Sequence, residues 1–458
     1  MAATFGTSGL RGLVSELTRE VVRDHTGGFL SACDAGTAVC IGEDLRPSSP
    51  GIARWVAEAV VESGRQAIAC GAVPTPALAL EAQRRGCGAV MVTGSHIPAD
   101  RNGLKFYTRS GEITKDDEAR IGAALGVVAG EGGDVATDAE VGARFRDRFT
   151  RAFGPALRGW RIGVHAHTAV GRDLLRDTLE ALGADCIELG REEVFVPLDT
   201  EAVPTEVAQR LIGWTRDHDL HAIASTDGDS DRPLLTDETG AVIPGDLLGQ
   251  ITARFLGAEA VVTPISSNGG VADAGFAEVL RTRIGSPYVL AGMAARSGRK
   301  TVGYEANGGF LLGFAAEGPT GPLAPLPTRD SFLPIIATLA AATPGRLSAR
   351  VSREPPVVTR AGRLQDVPAA RSAALIERLA DAEAREAFLS SLGCQGSSLD
   401  RTDGLRMSCD GGRIVHLRPS GNAPELRVYV EARDAGDADA LLAGALARVA
   451  SELDRDDG

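Results

Sequence analysis

The feature that most constrains this chain is a rhythm: a short apolar run, a turn, then residues at helical spacing, repeated three times. Residues 37–43 (TAVCIGE) have the length and β-branched content of a buried strand. Arg46-Pro47-Ser48-Ser49-Pro50 follows, where Ser49 is expected to cap a helix and Pro50 to take its first position. Ile52, Trp55, Val56, Ala59 and Val60 then recur at helical spacing, and Gly64 ends the run. A strand at 67–73, a helix at 76–85 and a strand at 89–93 come next. A second series starts at 160–164 (WRIGV) and reaches a strand at 221–226; a third starts near 246, with strands at about 260–265 and 301–304. The Gly/Pro-rich stretch 313–328 reads as a long loop, and Glu354-Pro355-Pro356 as a linker. Beyond it, strand-like runs at 413–417 and 426–431 precede an amphipathic helix at about 437–453.

Alternating strands and helices bury their apolar faces as helix-covered sheets. The expected fold class is therefore α/β: three similar α/β domains followed by a C-terminal α+β domain. The expected boundaries are 1–145, 146–245, 246–355 and 356–458, with the Gly- and acid-rich stretch 126–142 near the first of them. A length of 458 residues agrees with three or four domains. Aromatic residues are only 4% of the chain, so Ala, Val and Leu must build the cores.

A formal charge of −13 argues against general nucleic-acid or acidic-membrane binding, which needs a basic face. No signal peptide or membrane span is expected, because no apolar run approaches ~20 residues. Cys33, Cys40, Cys70, Cys87, Cys186, Cys394 and Cys409 are scattered and odd in number, as in a reduced, cytoplasmic protein.

Four loops at expected strand ends carry chemistry, because α/β sheets place ligands there. Thr93-Gly94-Ser95-His96-Ile97-Pro98, followed by Asn102-Gly103-Leu104-Lys105, sets a serine between Gly and His, where it is either an exposed nucleophile or an ordinary Ser/Pro turn. Asp227-Gly228-Asp229-Ser230-Asp231-Arg232 alternates carboxylates with small residues. In an extended loop that alternation aims the three toward one side, offering hard oxygen ligands for Mg²⁺ with Arg232 beside them as a phosphate donor. A calcium loop is the rival, with Glu238 completing the spacing, but Arg232 stands where such a loop needs Gly. Gly303-Tyr304-Glu305-Ala306-Asn307-Gly308-Gly309 is a Gly-rich turn whose Glu and Asn suit sugar hydroxyls. Arg418-Pro419-Ser420-Gly421-Asn422-Ala423-Pro424, with Arg427 beyond, offers a hydroxyl, an amide and two guanidinium groups to one phosphate, or is simply a Pro/Gly turn between strands. His165 and His167 form an HxH pair lacking a third ligand, so a structural role is expected; His25, His218, His221 and His416 are single and read as structural or surface residues.

Together and in this order the loops resemble the α-D-phosphohexomutase family, which includes phosphomannomutases and phosphoglucomutases. Phe5-Gly6-Thr7-Ser8-Gly9-Leu10-Arg11-Gly12 is similar to that family's opening block, and the likeness runs from residue 5 to about 432. The resemblance implies four domains, with mixed sheets, around a central cleft. It implies that Ser95 is phosphorylated and that Asp227, Asp229 and Asp231 hold Mg²⁺ with the phosphoserine oxygen. Arg11, His96 and Lys105 would sit at the reacting end, Lys105 as general acid/base. Arg232, Glu305 and Asn307 would contact the sugar phosphate. Arg418, Ser420, Gly421, Asn422 and Arg427 would hold the phosphate that is not reacting.

Among the chain's departures from the family's pattern, two bear on proton transfer. Thr282-Arg283-Ile284-Gly285-Ser286 lacks the histidine that some relatives carry there, and Gly309 stands where some relatives have His, which shifts proton transfer onto Lys105. The implied reaction interconverts hexose 6- and 1-phosphates, with mannose first and glucose or glucosamine as alternatives. A hexose 1,6-bisphosphate would be intermediate and activator. The expected partner is a small-molecule sugar phosphate, and the expected assembly a monomer or homodimer. A non-catalytic sugar-phosphate-binding or calcium-binding protein and a serine phosphatase are the rival functions.

Overall fold

The computed structural model describes residues 3–6, 9–396, 398–420 and 424–455. Its contacts divide the chain into two compact units, Met1–Val261 with Gly285–Val351, and Val262–Ile284 with Ser352–Gly458.

The first unit opens with an eight-stranded mixed sheet. Gly88–Val92, Ala38–Glu43, Gln66–Ala72 and Val135–Thr137 run parallel, while Arg101–Thr108 and Leu10–Leu13 continue it antiparallel beyond Gly88–Val92. Val39, Ile41, Val90 and Val92 are buried, which is why these strands read as continuous apolar runs. The helix Thr75–Arg85 stops at Gly86, whose φ of 64° is the left-handed cap that glycine tolerates best. The helix after Arg46 departs from expectation. It spans Ser49–Glu62 with Ser48 at the cap position, and no side chain caps it. The Ser49 hydroxyl instead donates to Asp44 Oδ1 at 2.6 Å and accepts from Asn102 at 2.9 Å. A buried carboxylate needs donors more than a helix start near other backbone partners does.

A second sheet places Asp185–Arg191, Arg161–His167 and Ala222–Thr226 in parallel and closes with Pro233–Leu235 antiparallel to Ala222–Thr226. A third set pairs Thr301–Tyr304 with Phe310–Leu312, and the latter with Leu326–Asp330, all antiparallel. The stretch expected to be a long loop holds a small hairpin, Ala316–Glu317 against Pro322–Leu323, closed by Gly318 N–H on Gly321 O at 2.8 Å. Its glycines and prolines are turn chemistry, and its end is already strand.

The second unit carries a five-stranded antiparallel sheet, ordered Val358–Leu364, Leu426–Ala432, Ile414–Pro419, Leu405–Ser408 and Ser398–Asp400. Ala369–Ala380 and Ala435–Arg455 cover it, burying Leu375, Leu379, Leu441, Ala445 and Val449 with Val415, Leu417, Val428 and Val430. The segment 262–284 joins this unit through Gly269 N–H on Glu431 (2.9 Å) and Ile284 N–H on Asp403 (3.0 Å). The protein is thus a mixed α/β chain with several mixed sheets. Among the described residues no helix is long and apolar enough to cross a membrane. All seven cysteines are free.

Candidate active site

The strand Gly88–Val92 ends in Thr93-Gly94, and Ser95 follows with φ 54°, a left-handed conformation that costs a serine of order 1–3 kcal/mol. That turn is over-determined. Thr93 Oγ1 accepts Ser95 N–H at 2.7 Å, and Arg46 Nη2 donates to Ser95 O at 3.0 Å. The result aims Ser95 Oγ at Asp227, with Oδ2 2.6 Å away, while His96 Nδ1 lies 3.3 Å from the same oxygen. A hydroxyl from the first sheet thus meets the acidic triplet of the second.

The triplet lies at the tip of the Ala222–Thr226/Pro233–Leu235 hairpin. It is not extended, as the alternation suggests, but a closed turn. Asp227 N–H bonds Arg232 O at 3.1 Å, and Ser230 takes φ 58°. Convergence comes from hydrogen bonds instead of from alternation. Asp227 Oδ1 accepts the N–H groups of Asp231 and Arg232, each at 3.1 Å. Asp229 Oδ2 accepts Thr75 Oγ1 (2.5 Å) and Lys105 Nζ (2.5 Å). Asp231 Oδ2 accepts Lys105 Nζ (2.6 Å) and Arg329 Nη2 (2.8 Å). One oxygen of each is tied down in this way. Asp229 Oδ1 and Asp231 Oδ1 are buried with no hydrogen-bond partner, and one ligand oxygen from each of the three acids lies within 4.8 Å of the others. Orphaned anionic oxygens so close together are costly unless a cation joins them, and hard carboxylate oxygens fit a hard divalent ion. The triad could therefore bind a metal. Glu238 does not join it: its carboxylate accepts Leu347 N–H, Ser348 N–H and Ser348 Oγ at 2.9, 3.0 and 2.5 Å, which removes the last ligand of a calcium loop.

The electrostatics follow from burial. Desolvation, then the Asp229 and Asp231 charges, push Asp227 well above the usual carboxylate range. Desolvation also raises Asp231, but Arg329, Lys105 and Arg232 outweigh it and hold that carboxyl low. Desolvation, with Arg232 and Arg11 adjacent, pulls His96 down to about 2, so its imidazole is neutral at ordinary pH. Desolvation beside Arg232 and Arg329 lowers Arg11 to about 10. Arg11 stands opposite Gly103 on the neighbouring strand, two residues from Lys105, so both cations rise from one face of the first sheet.

Glu305 and Asn307 lie in the turn after Thr301–Tyr304. Glu305 Oε2 accepts Ser286 Oγ at 3.2 Å and Arg329 Nη1 at 3.3 Å, and Arg329 thereby bridges this turn to Asp231. Asn307 Oδ1 accepts Gly309 N–H at 3.0 Å, and its carbonyl accepts Thr200 Oγ1 at 3.2 Å.

In the second unit, described by itself, Arg418 and Arg427 are direct cross-strand partners, and Arg363 is the partner of Arg427 on its other side. Arg418 Nε bonds Asp403 Oδ2 at 2.9 Å, and Ser420 N–H bonds Glu425 O at 2.8 Å. Like charges opposed across strands repel, so such a row suits an anion. Gly421 and Asn422, and Thr7 and Ser8 of the opening block, lie outside the described residues.

Family models described as phosphoglucomutase/phosphomannomutase alpha/beta/alpha domain I, alpha/beta/alpha domain III and C-terminal domain match residues 2–126, 236–355 and 358–448. A phosphomannomutase of Sinorhizobium fredii (strain NBRC 101917 / NGR234) is 43% identical, covering 99% of this chain and 100% of that relative. The chain belongs to the phosphoglucomutase/phosphomannomutase family. A phosphomannomutase of Salmonella muenchen is 42% identical over 98% of this chain and 96% of its own. A crystal structure of a phosphoglucomutase/phosphomannomutase family protein from Burkholderia thailandensis superposes with a TM-score of 0.78 at 21% identity, covering 99% of this chain and 98% of that one, which speaks to the fold alone.

In this α-D-phosphohexomutase family member, sequence reasoning passed over Arg46, Thr75 and Arg329. Thr75 and Arg329 are single polar residues in strand-end or helix-start positions with no motif around them. Arg46 left one signal, a lone Asp-x-Arg at the end of an apolar strand, in a position where an unpaired charge has no business being buried.

Proposed function

We propose that this enzyme, a phosphohexomutase, carries its phosphoryl group on Ser95 and interconverts mannose 6-phosphate and mannose 1-phosphate through a 1,6-bisphosphate. The observation that carries the reading is the 2.6 Å contact between Ser95 Oγ and Asp227 Oδ2, inside a triad with two orphaned carboxylate oxygens. Mannose is supported by the two phosphomannomutases that match nearly end to end at 43% and 42% identity.

Asp227, Asp229 and Asp231 would hold Mg²⁺. When bound, that ion supplies charge neutralisation at the transferring oxygens. The rest falls to the chain. Phosphoryl transfer asks for positioning and positive charge more than for covalent help. The phosphorus–Ser95 Oγ bond breaks as a bond from phosphorus to the sugar hydroxyl oxygen forms, and the hydroxyl proton ends on Ser95 Oγ. Lys105, 2.5 and 2.6 Å from Asp229 and Asp231, is the group assigned to move that proton. Arg11 and Arg232 flank the same space and suit the phosphoryl oxygens. Glu305 orients a sugar hydroxyl from a carboxylate that Arg329 and Ser286 hold still. Arg418, Ser420 and Arg427 take the phosphate that stays bound, and the bisphosphate must turn over before Ser95 takes back the other phosphoryl group.

Incubation with mannose 1-phosphate labelled in its phosphate, trace bisphosphate and Mg²⁺ tests this. Label appearing at C6 and transiently on Ser95 is expected. Release of inorganic phosphate as the main product would make the protein a phosphatase. Parallel kcat/KM values for mannose, glucose and glucosamine 1-phosphates test the sugar assignment, which a preference for either alternative would overturn.

A further inference from the structure

Between Arg161–His167/Asp185–Arg191 and the helix Thr205–Asp217, the segment 192–204 forms neither helix nor strand, yet reaches the metal loop, the turn that holds Asn307 and, through Arg46, the serine loop. It is moored at its start, where Arg172 Nη1 donates to Glu192 O at 2.9 Å, and Val196 and Thr168 exchange two hydrogen bonds of 2.9 and 3.1 Å. Farther along, Asp199 lies 4.0 Å from Arg232 of the metal loop, and Thr200 Oγ1 donates to the Asn307 carbonyl of the sugar loop at 3.2 Å. Val194 and Val196 are 79% and 42% exposed, while Phe195 between them is 6% exposed. One aromatic ring therefore anchors the segment.

What Phe195 touches is informative. The Arg46 guanidinium lies over its ring at 4.1 Å from the centroid. Arg46 is itself fully buried and donates to four carbonyls of the serine loop and its exit: Ser95 O (3.0 Å), Ile97 O (2.5 Å), Pro98 O (2.7 Å) and Arg101 O (3.0 Å). Its Nε pairs with Asp44 at 3.2 Å, and Asp44 also accepts Thr93 Oγ1 at 2.7 Å. A planar fork with four acceptors fixed at its edge has one remaining freedom, tilt about its own plane, and an aromatic face removes it. The tip of the ring reaches Gly228 of the metal loop, where a Cβ would lie 3.3 Å from Phe195 Cζ and 2.6 Å from Ser95 O. The ring, the guanidinium, the serine-loop backbone and the Gly228 backbone are thus one packed cluster.

We propose that Phe195 is a positioning residue that clamps Arg46 and Gly228 together and so sets the distance between Ser95 Oγ and the Asp227–Asp231 cluster. It touches no substrate, and it acts through the two loops that do. This rests on the reading of Ser95 as phosphoryl carrier, which Ser95→Ala tests separately: an active Ser95→Ala enzyme sinks that reading whatever Phe195 does.

The test compares Phe195→Ala, Phe195→Leu and Phe195→His in the full chain. It measures kcat and KM for mannose 1-phosphate, the half-saturating Mg²⁺ concentration, and the rate at which hexose 1,6-bisphosphate phosphorylates Ser95, followed by intact mass. Phe195→Ala is expected to lower kcat and the phosphorylation rate together by about 10- to 100-fold, because small misplacements of reacting groups cost that much. KM should stay within about threefold, and more Mg²⁺ should be needed. Phe195→Leu keeps apolar bulk without a ring face and should behave like Phe195→Ala, whereas Phe195→His keeps a planar ring with nothing beyond the position of Cζ, where Gly228 lies, and should stay within about threefold of the parent. If Phe195→Ala does not fold, the Leu/His pair decides. Parental kcat and Ser95 phosphorylation in Phe195→Leu, with only a lower melting temperature, would assign the ring to packing and overturn the proposal.

Discussion

Asp227, Asp229 and Asp231 are sealed from solvent at 0% exposure, with both oxygens of Asp227 and one each of Asp229 and Asp231 tied to named donors. The side chains of Arg418, Arg427 and Arg363 form a row across three strands with exposures of 16%, 39% and 60%. Both regions concentrate like charge, but with different consequences. In the triad, burial amplifies every interaction, so position is set before any ligand arrives and charge is corrected by Lys105, Arg232 and Arg329. In the arginine row, Asp403 holds Arg418 at 2.9 Å, while Arg427 and Arg363 stand 4.0 and 3.5 Å from Glu425 and water screens their charges. The first arrangement suits making and breaking bonds at one oxygen. The second leaves its cations within reach of an anion arriving from solvent.

Substitutions in the two regions should therefore fail differently. Ser95→Ala should show the largest effect, a loss of turnover on the order of 10⁴-fold or more, measured at trace enzyme, since it removes the carrier oxygen itself. Asp229→Asn should lower kcat by about 10²- to 10³-fold and weaken the response to Mg²⁺ titration; an unchanged Mg²⁺ curve would contradict the assignment of that acid. Arg427→Ala should raise KM by about 10- to 100-fold with little change in kcat, as expected for a charged hydrogen bond made alike in ground and transition states. A fall in kcat at constant KM would erase the contrast between the regions. His96→Gln should change the rate by about tenfold or less. Because His96 is held down at about 2, it is neutral across pH 5–8, so the acid limb of the parent's kcat–pH profile should survive the substitution unchanged.

The same contrast explains what could be read from the sequence. The α/β alternation was legible because parallel strands such as Ala38–Glu43 and Gly88–Val92 are buried on both faces through their middles and so carry apolar runs there. The Asp-x-Asp-x-Asp run and Ser95 stood out because chemistry-bearing side chains crowd a short stretch. The reason the acids converge was not legible: it lies in Asp227 bonding the backbone of Asp231 and Arg232, a closed turn instead of an extended one. Nor were the supports. Arg46, Thr75, Arg329 and Phe195 act from 20 or more positions away from Ser95, and nothing in their neighbours marks them. Ser49 misled for the opposite reason, since a good capping residue was claimed by a carboxylate five positions earlier. Removing one partner from the buried Asp44–Arg46 pair should cost about 3–5 kcal/mol, which is why such supports are structural and functional at once.

Arg329 holds Asp231 of the metal loop at 2.8 Å and Glu305 of the turn after Thr301–Tyr304 at 3.3 Å, so one guanidinium acts as a strut between two loops of the first unit. Removing it would strand two buried carboxylates side by side, and Arg329→Met should therefore lower the melting temperature as well as the rate.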